Sequence, residues 1–359
     1  MNVPSERLRN QRVEGRRLER AEDVVRWLVA SQAQDFAGAK WALGLRSNGL
    51  DAAAIEEEFD RGAILRTHVM RPTWHFVAPE DVRWLQALTS SRVETANGPR
   101  HRELGLDAAT LRKATASIAR SLEGGRELTR GELRQVLARS RIAAEGQRMA
   151  YILMHAELDS VVCSGARRGK QLTYALLDER APGARSRSRQ DALVVLAGRY
   201  FVSRGPATAH DFAKWSGLTV GDARAGVEAV ASKLRRDVID GATYWSGHER
   251  PPPHRGRPVA HLLSIYDEYL SSYRDRTAIC DPADAKRLVG KGNALAYVVI
   301  LDGKISGTWR RSIGKGAVRV HVAPFRRLSE PEREAIAKAA SRFAQFLGAG
   351  LQLSVEPNH

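Results

Sequence analysis

The feature that most constrains the fold is a recurring order of elements, in which amphipathic helices are followed by a short β-hairpin. The first copy is predicted as helices at 21–30, 36–45 and 51–61, followed by strands at 63–69 and 73–78. Apolar residues recur at helical spacing in the helices and alternate with polar residues in the strands. This order is typical of the winged helix-turn-helix, which presents a helix and a β-wing to DNA.

The same order is predicted twice more before residue 250. The second copy has helices near 107–122 and 145–159, with the start of a capping box at Thr129 between them. The third copy has a helix near 189–203 and ends in a hairpin that turns at Asp240-Gly241. Three copies in one chain predict an extended basic surface rather than a single docking helix.

After residue 250 the pattern changes from helical to β. The basic stretch 248–258 is predicted as a rigid loop because its prolines exclude helix and central strand. The segments beyond it predict a small β-barrel, with strands at 259–264, 294–301, 304–311, 318–324 and 350–355 and a helix at 329–347. The predicted fold class is α+β, with three tandem winged helix-turn-helix units at 1–100, 101–182 and 183–250, a C-terminal β-barrel at 251–359, and polar linkers at 90–106 and 180–189.

Net charge limits the partners of such a surface. The chain carries 57 Lys and Arg against 41 Asp and Glu, a formal charge of +16. Arginine forks onto phosphate oxygens, so this excess favours nucleic acid over an anionic membrane; the alternative is a high-GC codon bias that enriches arginine without a partner. No stretch approaches the roughly 18 apolar residues of a membrane span, no secretory signal is present, and the two cysteines have no disulfide or metal pattern. We therefore predict a cytoplasmic protein with no metal, no cofactor and no membrane contact.

Two basic segments are candidate DNA contacts. The first is a glycine-bounded hairpin tip at 165–170, whose basic side chains are Arg167, Arg168 and Lys170. The second is the run 303–327, which has no acidic residue and to which we assign four contacts: Arg310, Arg311, Lys315 and Arg319. Ile313 is a candidate apolar wedge within this run. Solvated turns and barrel loops are the alternative for both segments.

Gln32 and Gln34 form a candidate polar site between the first two predicted helices. Residues two positions apart do not share a helix face, but in a short non-helical junction the two amides can converge. Asp35 has the position of an N-cap for the helix at 36–45, where backbone N–H groups would occupy its carboxylate. Ordinary surface or capping glutamines are the alternative.

Three segments together resemble a known family. They are Gln32-Ala33-Gln34-Asp35, the run from Leu65 to His75, and the run from Leu263 to Arg276, which contains Tyr266-Asp267-Glu268-Tyr269. In this order they are similar to AlkZ-type bacterial DNA glycosylases, and the similarity extends over nearly the whole chain. The resemblance implies tandem winged helices followed by a β-barrel, and excision of bulky N7-alkylated guanines, in some members with unhooking of interstrand crosslinks. Gln32 and Gln34 match the Gln-x-Gln form of the family's catalytic motif, which goes with self-resistance to DNA-alkylating antibiotics.

Neutral amides suit the chemistry that the resemblance implies. An N7-alkylguanine is cationic and leaves readily, so the transition state resembles an oxocarbenium ion and requires a positioned water. Two glutamine oxygens can accept hydrogen bonds from that water without the desolvation penalty of a buried carboxylate. Asp35 is the rival base, and His68 is either close to the sugar or phosphate or a satisfied core histidine. Arg66, on the strand face of His68, and Arg71 are assigned to DNA contact.

The resulting hypothesis is a monofunctional DNA glycosylase, monomeric, that acts on double-stranded DNA containing a bulky alkylated purine. A bulky base is difficult to extrude, so the lesion is expected to be read in place. The segment Tyr266 to Tyr269 is expected to brace the barrel against the winged helices, with a catalytic role as the alternative. A winged-helix transcription regulator and an architectural DNA-binding protein are the other classes that the sequence leaves open.

Overall fold

The computed structural model describes residues 2–249, 256–289 and 296–357. Its helices are α1 (Val3–Asn10), α2 (Ala21–Leu28), α3 (Phe36–Gly44), α4 (Ala52–Asp60), α5 (Val82–Glu103), α6 (Ala108–Leu122), α7 (Arg130–Arg139), α8 (Gln147–Leu158), α9 (Leu177–Arg180), α10 (Arg189–Arg204), α11 (Ala209–Ser216), α12 (Val220–Val230), α13 (Glu268–Ser271), α14 (Pro282–Val289) and α15 (Glu330–Phe346). Its strands are β1 (Ala30–Gln32), β2 (Leu65–His68), β3 (Trp74–Val77), β4 (Leu128–Thr129), β5 (Val162–Ser164), β6 (Thr173–Leu176), β7 (Arg235–Ile239), β8 (Ala242–Ser246), β9 (Ala260–Leu263), β10 (Val298–Leu301), β11 (Lys304–Ile313), β12 (Ala317–Pro324) and β13 (Gly350–Val355).

The first sheet has the order β1-β3-β2, so the predicted hairpin carries a third strand. Helix α2 ends where Val29 adopts a φ of 64°, and the chain then pairs with β3 from Ala30↔Val77 to Gln32↔His75. The predicted irregular junction between two helices is therefore wrong at Gln32, which lies on an edge strand. The partner strand that makes β1 regular begins 42 positions later, at Trp74, and no local pattern indicates that pairing.

Helix α5 replaces the polar linker predicted at 90–106. It runs for 22 residues with Pro99 inside it, and the predicted unit boundary at residue 100 falls within it. Val93 and Asn97 are buried, Asn97 Nδ2 donates to Met154 Sδ at 3.1 Å, and His101 contacts the Tyr151 ring. The prediction failed because this stretch is mostly polar and therefore resembles a solvated linker. The sequence does not show that one face of the helix packs on α8.

Three-helix segments precede the next two sheets, as the helical and strand patterns predict. Helices α6, α7 and α8 precede the sheet β4-β6-β5, and α10, α11 and α12 precede the hairpin β7-β8. Capping boxes at Thr129, Thr208 and Thr219 begin α7, α11 and α12, because each threonine caps a backbone N–H while an acid three residues on caps its own.

The C-terminal sheet has the order β13-β12-β11-β10-β9, antiparallel except for the parallel pair β12 and β13. Within the described ranges β9 and β13 are its edges, so the predicted barrel is an open half-barrel. Helix α15 connects β12 to β13 and covers the sheet, with Phe343 packed on Trp41 and Trp309. The predicted boundary at 250/251 and the first residues of the strand predicted at 294–301 lie outside the described residues.

Two large cores hold these parts together around the first sheet. One core joins α2, α3 and α4 to the half-barrel and α15. The other joins β1, β2 and β3 to helices α10, α11 and α12. The segment that carries the glutamine pair therefore lies between structures formed by the middle and the end of the chain.

Candidate active site

The two glutamines lie at the end of β1 and just beyond it. Gln32 ends β1, and the pairing continues through Ala33, whose N–H donates to the Trp74 carbonyl at 2.7 Å. Gln34 lies in a bend two residues beyond the strand, where its side chain turns to the Trp74 backbone. Gln32 is buried and Gln34 is exposed, which gives the pair one fixed and one solvent-facing member.

Both amide oxygens accept hydrogen bonds from the β3 side. Arg71 Nη2 donates to Gln32 Oε1 at 3.5 Å, and the Trp74 backbone N–H donates to Gln34 Oε1 at 3.4 Å. An amide oxygen has two lone pairs, so each glutamine keeps one acceptor position for a further donor such as water. These contacts also fix which end of each amide is the oxygen.

The outer edge of β1 is held by a buried ion pair from distant parts of the chain. Glu268 Oε1 accepts the Gln32 backbone N–H at 2.9 Å, and Arg204 Nη2 donates to the Ala30 carbonyl at 2.8 Å. Arg204 also donates to the Leu28 carbonyl at 2.7 Å and pairs with Glu268 at 2.8 Å. An edge strand leaves unpaired backbone groups, and here a salt bridge rather than a fourth strand satisfies them.

Glu268 is anionic in this environment despite its burial. Burial raises the pKa of a carboxyl group, but the charge and hydrogen bonds of Arg204 and the Gln32 N–H lower the pKa of Glu268 to about 2. Its second oxygen, Oε2, accepts from Arg204, Trp215 Nε1 at 2.9 Å and Ser272 Oγ at 2.7 Å. Oε2 is fully occupied inside the protein, and Oε1 is turned to the backbone of β1, so the charge of Glu268 serves the fold around Gln32.

His75 is a neutral partner of Arg71 beside the pair. Burial and the Arg71 charge lower the pKa of His75 to about 3. Its Nδ1 therefore donates to the Thr73 carbonyl at 2.9 Å, and its Nε2, 3.3 Å from Arg71 Nη2, is the acceptor. Arg71 Nε has no partner among the described residues. The Nη2 group of Arg71 thus faces both Gln32 and His75, while its buried Nε–H is unused.

Asp35 precedes α3 at the N-cap position, but its carboxylate does not cap the helix. It accepts from the Tyr297 hydroxyl at 2.7 Å and lies 3.9 Å from Arg311. Burial and the hydrogen bond to Asp35 raise the pKa of Tyr297 to about 12. The predicted occupation of Asp35 by backbone N–H groups is wrong, because a residue 262 positions away supplies its partner. Asp35 connects the glutamine segment to the half-barrel.

His68 and Arg66 are engaged inside the protein. His68 is buried, with Nδ1 against Glu157 Oε2 and its ring 4.5 Å from that of Trp74. Arg66 is buried, donates through Nε to the Ala33 carbonyl at 2.9 Å and lies 4.2 Å over the Trp74 ring. Arg66 therefore supports the chain between the two glutamines, and it is not presented to DNA as predicted.

Of the predicted DNA-contact residues, Arg66 and the half-buried Arg71 face Ala33 and Gln32, and the remaining seven divide into two groups. Arg167 binds the Asp60 carboxylate, with Nη2 2.8 Å from Oδ2. Arg311 is partly buried, with its guanidinium 5.1 Å from the centre of the Tyr297 ring. Both arginines therefore connect elements of the fold instead of facing solvent. The others are exposed: Arg168, Lys170, Arg310, Lys315 and Arg319. Ile313 is 61% exposed near the β11–β12 tip, and Arg311 on the same strand brings this hairpin close to Asp35.

The segment Tyr266 to Tyr269 joins separate parts of the chain. Asp267 pairs with Arg46 of the first helical segment at 2.8 Å, and Glu268 pairs with Arg204 of α10. Sequence reasoning expected a brace here but missed the direct contact of Glu268 with Gln32, and it missed Arg204 and Tyr297 altogether. Arg204 is the last residue of α10, which also carries Arg189, Asp191 and Arg199, so the sequence offered no signal that singled it out.

Neither a metal site nor a membrane span is indicated in the described part of the chain. No group of three or more His, Cys, Asp or Glu side chains there could hold a metal ion. No helix within the same residues is both long and apolar enough to cross a bilayer.

The described geometry matches a family of known enzymes. The model of the family described as DNA glycosylase AlkZ-like matches residues 25–346. The chain belongs to the AlkZ-like DNA glycosylase family. It is 24% identical over 364 residues to the interstrand DNA cross-link repair glycosylase of Streptomyces sahachiroi, covering 95% of each chain. The solved structure of Streptomyces sahachiroi DNA glycosylase AlkZ has a TM-score of 0.81 at 23% identity, covering 99% of this chain and 98% of that one.

These comparisons confirm the resemblance found in the sequence and the mixed α+β fold with its half-barrel sheet. The AlkZ-like chain is a DNA glycosylase of DNA repair, and the transcription-regulator alternative has no support.

Proposed function

We propose that this DNA glycosylase hydrolyses the N-glycosidic bond of bulky N7-alkylguanines by means of a water held between Gln32 and Gln34. The observation that carries the proposal is that the two amide oxygens, two residues apart in the chain, each accept a hydrogen bond from the segment 71–74, Gln32 from Arg71 and Gln34 from the Trp74 N–H. The nearest carboxylates in sequence and space, Asp35 and Glu268, are each committed to other partners.

The reaction requires little proton transfer to the base. The C1′–N9 bond breaks, and its electron pair neutralises the positive charge of the alkylated purine as the base departs. Water then bonds to the oxocarbenium-like C1′ and releases its proton to solvent. Each glutamine oxygen accepts one hydrogen bond from the attacking water and thereby aims a lone pair at C1′.

A monofunctional reaction is favoured by the state of the lysine nearest to the motif in sequence. Lys40 follows the motif on α3, and its ammonium pairs with Glu56. A lyase reaction requires a free amine that can form a Schiff base with the sugar. The pairing with Glu56 occupies the Lys40 side chain.

We assign DNA binding to three tandem winged-helix units and the half-barrel, acting as a monomer in the cytoplasm. We assign the phosphate contacts to the exposed basic residues, which are Arg168, Lys170, Arg310, Lys315 and Arg319. The β11–β12 hairpin approaches the duplex beside the lesion, with Ile313 at its apolar tip. N7 of guanine faces the major groove, so an adduct there can be reached with the base still stacked.

The relative's name supports the substrate class. The Streptomyces sahachiroi protein is an interstrand DNA cross-link repair glycosylase, and the present chain covers 95% of its length. We extend unhooking of crosslinks, and protection of a producer from its own alkylating antibiotic, to this protein. A matching Gln-x-Gln motif at Gln32 and Gln34 is consistent with that role.

The test is base release from a duplex with one bulky N7-guanine adduct, measured by chromatography of the freed base and by alkali-labile abasic sites. The Gln32→Ala/Gln34→Ala double variant should bind the duplex and release no base. Gln345→Ala, an exposed glutamine on α15, is the matched control and should retain full activity. Full release by the double variant would refute the assignment.

A further inference from the structure

Three basic side chains from distant parts of the chain meet beside Gln32. Arg71 comes from the turn between β2 and β3, Lys214 comes from α11, and Arg276 comes from the segment that follows α13. Arg71 is the member that reaches the glutamine pair, with Nη2 3.5 Å from Gln32 Oε1. We call these three residues the basic cluster.

The end of α13 holds two members of the basic cluster side by side. Lys214 Nζ donates to the Ser271 carbonyl, and Arg276 Nε donates to the Leu270 carbonyl at 2.9 Å. The two carbonyls belong to consecutive residues in the last turn of α13, and basic side chains commonly satisfy such carbonyls. Lys214 and Arg276 therefore approach each other at one end of one helix.

Close packing brings Arg71 to the same place. Gly217 ends α11 with a φ of 72°, three residues after Lys214. A Cβ on Gly217 would lie 2.1 Å from the Met70 carbonyl oxygen and 3.5 Å from Arg71 Cγ, so only glycine allows this approach. The turn that carries Arg71 is thus packed directly against the end of α11.

The positive charge of the basic cluster is not neutralised by the protein. None of its members forms a salt bridge within the residues that the structure describes. Burial and the charges of Arg71 and Arg276 lower the pKa of Lys214 to about 8. Lys214 is still mostly protonated at pH 7, so it suits an anion better than it suits Schiff-base formation.

The neighbouring carboxylates do not supply that anion. Glu268 and Asp211 are the two that oppose the lowering of the Lys214 pKa. Glu268 pairs with Arg204 at 2.8 Å, and Asp211 accepts the Thr208 backbone N–H at 2.9 Å in the capping box of α11. The anion must come from outside the protein, and all three cations are only half-buried, so it can reach them from solvent.

The turn that carries Arg71 also has unused hydrogen-bonding capacity. Arg71 Nε and Thr73 Oγ1 are buried without a partner among the described residues. Buried polar atoms are nearly always hydrogen-bonded in proteins, so two unpaired atoms in one turn, next to uncompensated charge, indicate a binding site.

We propose that Arg71, Lys214 and Arg276 bind one phosphate of the DNA backbone that flanks the damaged nucleotide. The inference rests on the proposed function and names the contact that places the sugar. A phosphodiester is an anion that every DNA substrate carries, and its oxygens suit guanidinium and ammonium donors. One guanidinium, that of Arg71, faces both this phosphate and Gln32, so the phosphate belongs to the nucleotide whose C1′ lies opposite the glutamine pair.

The test removes the charge from either side of the contact. A methylphosphonate linkage, which is neutral, replaces the phosphate 5′ to an N7-alkylguanine, the phosphate 3′ to it, or a distant phosphate of the same strand. A 2′-fluoro substituent on the damaged nucleotide destabilises the oxocarbenium-like transition state and prevents base release. Fluorescence anisotropy with these duplexes therefore measures binding alone.

One of the two flanking methylphosphonates should raise the dissociation constant of the unsubstituted protein by about tenfold, as expected for charged hydrogen bonds. In Lys214→Gln, and likewise in Arg276→Gln, the same replacement should raise it by about threefold or less, because part of the contact is already lost. Lys338→Gln, at an exposed lysine on α15, is the matched control and should keep the full tenfold effect. The distant methylphosphonate should affect all four proteins equally.

Equal effects in the unsubstituted protein and both cluster variants would overturn the phosphate contact. The absence of any effect of the two flanking methylphosphonates on the unsubstituted protein would also overturn it. Lys214→Gln removes a cation that has no ionic partner, so its urea midpoint should not fall, and Arg276→Gln tests the contact independently. Base release from the duplex without fluorine tests the proposed reaction separately, since the binding effects require no chemistry.

Discussion

Substitution of Glu268 by glutamine should separate the positioning of Gln32 from the stability of the fold. Glu268 Oε1 accepts only the Gln32 N–H, whereas Oε2 accepts from Arg204, Trp215 and Ser272. In Glu268→Gln the side-chain amide oxygen must take the place of Oε2, because Arg204, Trp215 and Ser272 all donate hydrogen bonds there. The new NH₂ then faces the Gln32 N–H, and two donors in contact push the end of β1 away.

The magnitude follows from the pKa of Glu268. A lowering from 4.5 to about 2 corresponds to about 3 kcal/mol of folded-state stabilisation, at about 1.4 kcal/mol per pH unit. Because the folded pKa is depressed, this stability is fully present above pH 4.5 and is lost as pH falls from there toward 2. Glu268→Gln should therefore lower the free energy of unfolding at pH 7 by about 3 kcal/mol and weaken the acid dependence in that window, to which other carboxyl groups with a lowered pKa, such as those of Glu132 and Glu332, still contribute.

The assays are urea unfolding between pH 2 and 7 and single-turnover base release at a temperature where the variant is folded. We expect release to slow by about 10- to 100-fold, because displacement of a positioning group by about 1 Å has effects of that size. The dissociation constant for the adduct duplex should change little, since Glu268 is buried and does not reach DNA.

Asp267→Asn is the control, because it breaks the neighbouring buried pair with Arg46 without touching Gln32. It should destabilise the protein and leave the release rate of the folded fraction unchanged. Equal effects of Glu268→Gln and Asp267→Asn on release would show that Glu268 acts only through stability. An unchanged acid-unfolding profile in Glu268→Gln would refute the electrostatic reasoning.

Three further predictions concern Asp35, Lys315 and His75. Asp35→Asn should lower stability by about 1 kcal/mol through the Tyr297 hydrogen bond and retain release within about threefold, whereas a loss of more than about 100-fold would identify Asp35 as the base. Lys315→Ala should weaken binding of modified and unmodified duplexes alike and reduce the slope of log Kd against log salt by about one; an unchanged slope would remove Lys315 from the DNA interface. His75, whose pKa is lowered to about 3 by burial and by Arg71, should contribute stability that is complete above pH 6.5 and declines as pH falls below it, by up to about 1.4 kcal/mol per unit. A His75→Gln variant should lack that decline between pH 6.5 and 5 in urea unfolding, and identical slopes would contradict the buried neutral state.

The sequence indicated most helices and hairpins because their signals are local. The capping box that begins α7 at Thr129 joins residues three positions apart, and the β7–β8 turn at Asp240-Gly241 requires only its own backbone. The glutamine pair was also found from sequence, through a motif shared with a family. The part of helix α5 beyond residue 90 was missed, because a polar sequence does not show that one face of the helix packs on α8.

The architecture around the pair was decided by tertiary structure. Gln32 is a strand residue only because it pairs with β3. Its N–H donates to Glu268, which lies 236 positions further along the chain. The carboxylate of Asp35 accepts from Tyr297, at a separation of 262 positions. Hydrophobic periodicity indicates which face of a helix or strand is buried. It does not indicate which polar group from a distant part of the chain will contact that face. The amino-acid sequence by itself thus determined most of the elements and the family, and it singled out the glutamine pair that we propose to be catalytic. Only the packing of the first sheet between α10 and the half-barrel decided how those amides are held, since buried polar groups take their partners from whatever part of the chain encloses them.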